Sequence, residues 1–219
     1  MVEINVKISA RSPLNIGAGA QQGTLAQQGM VKDTHGWPYI PASSLKGKWR
    51  HAVEQVARSL EMPEVCTTND RMCRRQDPCI VCQIFGSPWS PGKLHFANLV
   101  LSGPPVILTL QEDPSYYPRT VERTGVAINR QRRVAEDHHL YNTELFWPGI
   151  ELEFSGILRG DISQRQAALL QAGLRLLTTL GRGNTGGLGW VAAETVFQYQ
   201  DGIWTNQALH NALKTGGGL

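Results

Sequence analysis

With 41% hydrophobic and 18% charged residues among 219, and with 23 glycines and 12 prolines, the chain has the make-up of an ordered, turn-rich globular protein, which excludes a disordered or fibrous one. It is long enough to bury a real core and reads as one domain over residues 1–219, with insertions at 61–92 and 116–147. The net charge of +3 is unevenly held: residues 119–133 carry five arginines against Glu122, which puts +4 in one segment and leaves −1 for the rest. A nearly neutral body with a basic projection addresses a polyanion at one place. No apolar run approaches the roughly 18 residues of a membrane span and no charged-then-apolar leader opens the chain, so a cytoplasmic location is expected.

Residues 1–10 alternate, with Val2, Ile4, Val6 and Ile8 facing one way and Glu3, Asn5 and Lys7 the other, the pattern of an edge-type strand. A Gly/Gln-rich stretch over 17–29 reads as a loop, and residues 33–41 turn the chain at Gly36, Pro38 and Pro41. Ser43 or Ser44 is the expected cap of a helix that sends Leu45, Trp49, Ala52, Val53 and Val56 to the core and ends before Pro63. Strands are expected at 94–101 and 106–110, joined by Gly103-Pro104-Pro105, and at 151–158. Between them, residues 116–147 read as an extended β-hairpin around Val126-Ala127-Ile128. Ser163 caps a second helix with Ala167, Leu170, Leu174 and Leu177 on one face, closed by Gly181 as a left-handed cap, and a last strand runs over 190–198. The order β-α-β-β-(hairpin)-β-α-β is an α+β pattern compatible with a ferredoxin-like core.

All four cysteines fall in one short stretch, as Cys66-x6-Cys73-x5-Cys79-x2-Cys82. Four sulfur ligands suit a closed tetrahedral zinc site, and the hydrophilic loop around them holds too few apolar residues to fold alone; a structural zinc contributes on the order of 10 kcal/mol in small units of this kind. Two disulfides fit less well because nothing indicates secretion, and the spacing leaves iron–sulfur ligation open.

Five of the nine residues over 181–189 are glycine, with Arg182 and Asn184 among them. A turn requires one or two; the others make room for packing or for a polyanion at the backbone N–H groups. Gly-rich phosphate loops ordinarily precede a helix, whereas this one follows it, so a plain turn stays open as the alternative.

Five motifs stand in order along the chain: Leu14-Asn15-Ile16-Gly17-Ala18-Gly19, Tyr39-Ile40-Pro41-Ala42-Ser43-Ser44-Leu45-Lys46-Gly47-Lys48, Cys79-Ile80-Val81-Cys82-Gln83-Ile84-Phe85-Gly86, Arg123-Thr124-Gly125-Val126-Ala127-Ile128-Asn129-Arg130, and the glycine run. Together they resemble the RAMP family of CRISPR proteins, and most closely the repeating backbone subunit of type III effector complexes, over roughly residues 2–198. The resemblance implies a ferredoxin-like (RRM-like) core with a zinc-knuckle insertion and a protruding hairpin, the thumb. It also implies a filament of subunits, with other effector-complex proteins, that grips CRISPR RNA for pairing with complementary target RNA. The residues it puts at RNA are Lys46, Lys48, Arg119, Arg123, Arg130, Arg132, Arg133, Arg182 and Asn184, and Arg50, a cation of the same helix as Lys46 and Lys48, is read as a further RNA contact.

Family members that cut target RNA carry an aspartate in the loop before the Ile-Pro segment, where this sequence has Gln27-Gln28. Glutamine supplies neither an anionic metal ligand nor a proton acceptor. An architectural, non-cutting subunit is therefore expected. The rival is an endoribonuclease using Asp33 or another loop residue with magnesium, or one that processes guide precursors with His138 and His139 beside Glu136 and Asp137. A free-standing zinc-containing RNA-binding module is the third reading.

Overall fold

The alternation of the first strand decides the layering. In the computed structural model, which describes residues 1–17, 29–62, 65–66, 73, 77–113, 115, 120–147, 149, 151–199 and 202–214 (of 137–139 the backbone alone), Val2, Ile4, Val6, Ile8 and Ala10 are all buried. The elements follow as β1 (Val2–Ala10), α1 (Ala42–Ser59), α2 (Ile80–Phe85), β2 (Leu94–His95), β3 (Val100–Gly103), α3 (Pro105–Glu112), β4 (Val121–Asn129), β5 (Val134–Leu145), β6 (Leu152–Gly160), α4 (Gln164–Arg175), β7 (Val191–Tyr199), β8 (Gly202–Trp204) and α5 (Asn206–Lys214).

The main sheet runs in the order β2-β6-β1-β7-β8, with β3 also on β6, and its pairings are antiparallel. β1 is thus the central strand rather than an edge, paired over its whole length with β6 on one side and β7 on the other. Alternation reports that one face is buried and the other open; it carries no information about lateral neighbours. On the open face the charges pair across strands, Lys7 with Glu153 and Arg159 with Glu3, each at 2.7 Å.

The core lies between the other face and the helices. Leu45, Trp49, Ala52 and Val53 of α1 are buried as the 3.6-residue period predicts, and Trp49 Nε1 donates to Leu170 O of α4 at 2.8 Å. No serine caps α1: Pro41 stands at the N-cap, and the Ala42 N–H is taken by Asn98 Oδ1 at 2.9 Å, a cap supplied from a distant segment. Ser163 caps α4 as expected, in a reciprocal capping box with Gln166.

Two expected strands differ. Residues 94–101 split into β2 and the start of β3, because the chain crosses directly over Gly156, where a Cβ would lie 2.7 Å from Leu99 Cδ2 and 3.0 Å from Asn98 O. Leu99 pairs instead with Ile40, exchanging two backbone hydrogen bonds of 2.9 Å. Residues 106–110 belong to the helix α3, not to a strand. Pro104 and Pro105 have no N–H to give a ladder, whereas the first position of a helix requires none.

α1 and α4 touch at Gly173, where a Cβ would lie 2.4 Å from Val53 Cγ2 and 3.0 Å from Val53 N. Gly173→Ala should therefore lower unfolding stability by about 1–3 kcal/mol through overpacking, although alanine is the better helix former. Denaturant unfolding checks this; a stabilised variant would mean that the helices separate without cost.

Candidate nucleic-acid interface and candidate metal centre

The segment 13–17 passes between three parts of the molecule and hydrogen-bonds to each. Leu14 pairs with Phe146 at the end of the hairpin through bonds of 3.3 and 3.1 Å. Asn15 O accepts from Arg182 N at 2.9 Å and Pro13 O from Gly189 N at 2.9 Å, fastening both ends of the glycine loop. Ile16 O accepts from Val31 N at 2.8 Å. Asn15 is itself fully buried, and its Nδ2 donates to Glu144 O at 2.6 Å.

Glu144 completes this junction from the side chain. Its carboxylate accepts from Met30 N at 3.0 Å, from Thr120 Oγ1 at 2.6 Å and from Lys32 Nζ. Burial alone would raise its pKa, but these donors outweigh it and hold the group below the usual glutamate range. Neither Asn15 nor Glu144 stands out as functional in the sequence, because, apart from Thr120 at 24 positions from Glu144, the partners named for each are more than 100 positions away.

The glycine loop is held by packing at two points. Gly181 has φ +82°, and a Cβ there would lie 2.2 Å from Asn15 O; Gly189 has φ +72°, and a Cβ there would lie 2.0 Å from Leu180 O. Gly181 is not the cap of α4, which ends at Arg175 with Leu176 as its C-cap; residues 178–180 extend instead, and Thr178 O accepts from Val191 N at 2.9 Å. Gly186, by contrast, has open space around the position of a Cβ and no positive φ.

That open side faces the hairpin. β4 and β5 form their own two-stranded sheet from Val121↔Leu145 to Asn129↔Val134. Between its base and the glycine loop lies a cleft of about 440 Å³, walled by Arg123, Gly125, Tyr141 and Thr143 on one side and by Arg182, Gly183 and Gly186 on the other. Tyr141 lies across Gly125 and Arg182 across Gly17, since a Cβ at either glycine would come within 2.5 and 2.8 Å of the overlying group. Two guanidinium groups and an aromatic ring at one cleft are the parts needed to hold a phosphate chain and a base.

At the far end, Asn129 Oδ1 accepts from Gln131 N and Arg132 N, both at 3.0 Å, and shapes a turn on which Arg130, Arg132 and Arg133 are exposed. The hairpin also exposes Val121, Val126, Ile128, Val134 and Leu140. Lys46 and Lys48 stand on the first turns of α1 and do not line the cleft; Lys46 Nζ lies 5.9 Å from the Phe96 ring centre. Arg119, Gln27 and Gln28 lie outside the described residues, as do the side chains of His138 and His139.

Three expected site residues are turned to other work. Arg50 is 7% exposed and bonds inward to Glu54, Gly86 and Cys82, so it is not available to RNA. Its Glu54 partner at i+4 and its place beside Val53 and Ala57 on the buried face were the sequence signal for this. Asn184 points back into its own loop, Nδ2 donating to Thr179 Oγ1 at 3.3 Å. Asp33 closes a turn: Oδ1 accepts from His35 N at 2.9 Å and Trp37 N at 2.8 Å, an arrangement that Asp33 followed by Gly36 foreshadows.

The cysteines do converge. One sulfur from each of Cys66, Cys73, Cys79 and Cys82 lies within 4.8 Å of all the others, with 3.2 Å between Cys66 and Cys82 and 3.6 Å between Cys79 and Cys66. Tetrahedral ligation at about 2.3 Å per sulfur separates ligands by about 3.8 Å, whereas a disulfide requires about 2.05 Å, so the cluster fits a metal such as zinc and none of the four thiols is paired. Without metal, burial pushes the Cys66 and Cys73 thiols up. Burial also raises Cys79, but hydrogen bonds from the backbone of Cys66 and Cys82 and from neighbouring thiols prevail and bring it to about 7.

An α+β protein with an arginine-walled cleft beside a basic hairpin, and with a four-cysteine cluster, is what fold and site define. The family model of the RAMP superfamily matches residues 7–192, and the chain belongs to that superfamily. RAMP proteins bind or process RNA in CRISPR systems, generally in complexes with RNA and other subunits. A search of the curated proteins finds no match. Among the described residues, no helix is long and apolar enough to cross a membrane.

The glycines separate by substitution. Gly189→Ala should cost about 1–3 kcal/mol of stability through backbone strain and the clash with Leu180 O, and Gly186→Ala should stay within about 0.5 kcal/mol of the parent. Chemical denaturation of the two variants checks the contrast; equal losses would remove the distinction between packed and open glycines.

Proposed function

We propose that this chain is the CRISPR-RNA-binding backbone subunit of a type III effector complex, holding the guide in the cleft between hairpin and glycine loop for pairing with target RNA. The cleft is the observation that carries this reading. Arg123 and Arg182 face it from two separate elements, and Gly186 presents no side chain between them, its carbonyl accepting from Arg123 Nη1 at 3.4 Å. The strand order, with β6 and β7 flanking β1 and two helices on one face, supports a ferredoxin-like (RRM-like) core. The hairpin suits the role of thumb. Its exposed valines, isoleucine and leucine have no core of their own to pack on, and its arginine tip suits a polyanion; splayed bases and phosphates satisfy both.

The open face of the main sheet is a poorer platform. Its cations Lys7 and Arg159 are already paired with Glu153 and Glu3, which leaves little net attraction for a phosphate chain. The role is architectural rather than catalytic. Glutamines stand where cleaving relatives carry aspartate, and Asp33 uses a carboxylate oxygen to close its own turn. Zinc at the four cysteines is structural in this reading: four sulfurs fill a tetrahedral shell and leave no position for substrate.

Fluorescence anisotropy with single-stranded RNA over a range of salt tests the cleft. Each single-strand phosphate contact contributes about 0.7 to the slope of log affinity against log salt, so Arg123→Ala/Arg182→Ala should flatten that slope by about 1.4. Lys7→Ala/Arg159→Ala on the sheet should leave it unchanged. An unaltered slope in the cleft variant, or a flattened one in the sheet variant, contradicts the assignment.

A further inference from the structure

A divalent cation on four thiolates carries two net negative charges, and a part-buried centre of that kind depends on a nearby counter-charge. Among the described residues two arginines reach this cluster, and one of them is buried against it. Arg50 sits on α1, nearly enclosed, and directs a separate donor to each of three acceptors: Nη2 to Cys82 Sγ at 3.3 Å, Nη1 to Gly86 O at 2.6 Å and Nε to Glu54 Oε1 at 2.9 Å. Cys82 and Gly86 bracket the second half of α2, the short helix that carries Cys82 and has Cys79 at its N-cap. Arg58, one helical turn beyond Glu54, approaches the same carboxylate at 3.9 Å and donates to Cys66 O at 3.5 Å from an exposed position.

We propose that Arg50 is the positioning residue of the metal centre: its guanidinium orients the Cys82 thiolate and the turn at Gly86 and offsets the charge of the loaded cluster. The planar fork is essential to this, because an ammonium group at the end of a lysine cannot reach three acceptors in one plane. Glu54 orients the fork from the other side. The affinity of the cysteine cluster for metal is thereby set partly by α1, the helix that also carries Lys46 and Lys48. Groups that hydrogen-bond to metal ligands typically govern affinity by about 10- to 100-fold. If Arg50 were only half of an ordinary buried ion pair, its loss would lower stability and leave metal binding unmoved.

This inference rests on the four cysteines being a metal centre, and the two are tested separately. The full-length chain, stripped of metal, is titrated with Zn²⁺ against a chromophoric chelator, and the Co²⁺-loaded chain is examined by absorption for thiolate-to-metal charge transfer. Arg50→Lys is compared with the double variant Arg50→Met/Glu54→Gln, which strands no buried carboxylate and so keeps a foldable chain. The expected result is tight binding by the parent, a loss of about 10- to 100-fold in the double variant, a smaller loss in Arg50→Lys, and shifted charge-transfer bands in both. Parent-like affinity and spectra in both variants would overturn the role of Arg50. A parent chain that binds neither ion would overturn the metal centre and this role with it.

Discussion

The candidate site depends on one constraint: the backbone of residues 13–17 must satisfy its hydrogen bonds against the glycine loop, the hairpin end and the returning chain at Val31 at the same time. A buried backbone group left unpaired costs about as much as a lost hydrogen bond, so the segment fixes the relative positions of all three. Gly181 is needed because Asn15 O occupies the place of its side chain, and Arg182 lies over Gly17. Arg182 and Arg123 line one cleft on elements that this strap ties together.

Glu144 extends the same junction to the chain on either side of residues 18–28. Its backbone carbonyl holds Asn15 before that segment and its carboxylate holds Met30 and Lys32 after it. A carboxylate with three donors is stabilised in its charged form, so the junction is firm at neutral pH. Beside α1 and α2 the four cysteines converge, and a metal held there would supply to a hydrophilic insertion the stability that it lacks apolar residues to provide.

Much of this was legible from local pattern. The buried faces of β1, α1 and α4, the Ser163 cap, the hairpin and the convergence of four cysteines all follow from periods and spacings within a few residues. What was not legible depends on neighbours distant in sequence. The central place of β1 is set by β6 and β7, the cap of α1 by Asn98, and the split of residues 94–101 by Gly156. Arg50 looked like a surface cation because Cys82 and Gly86 are 32 and 36 residues away, although Glu54 at i+4 was in plain view. Residues 106–110 show local pattern misleading in the other direction: a run rich in β-branched and aliphatic side chains suggested a strand, and two prolines at its head made it a helix.

The central claim is that a single RNA strand lies between the hairpin and the glycine loop. Photo-crosslinking with guide RNA carrying 4-thiouridine at successive positions, followed by peptide mapping, tests it most directly. The account predicts cross-links within residues 123–126, at Tyr141 and within 182–188. Cross-links concentrated on the open sheet face, at Asn5, Ile157 and Val196, would contradict it.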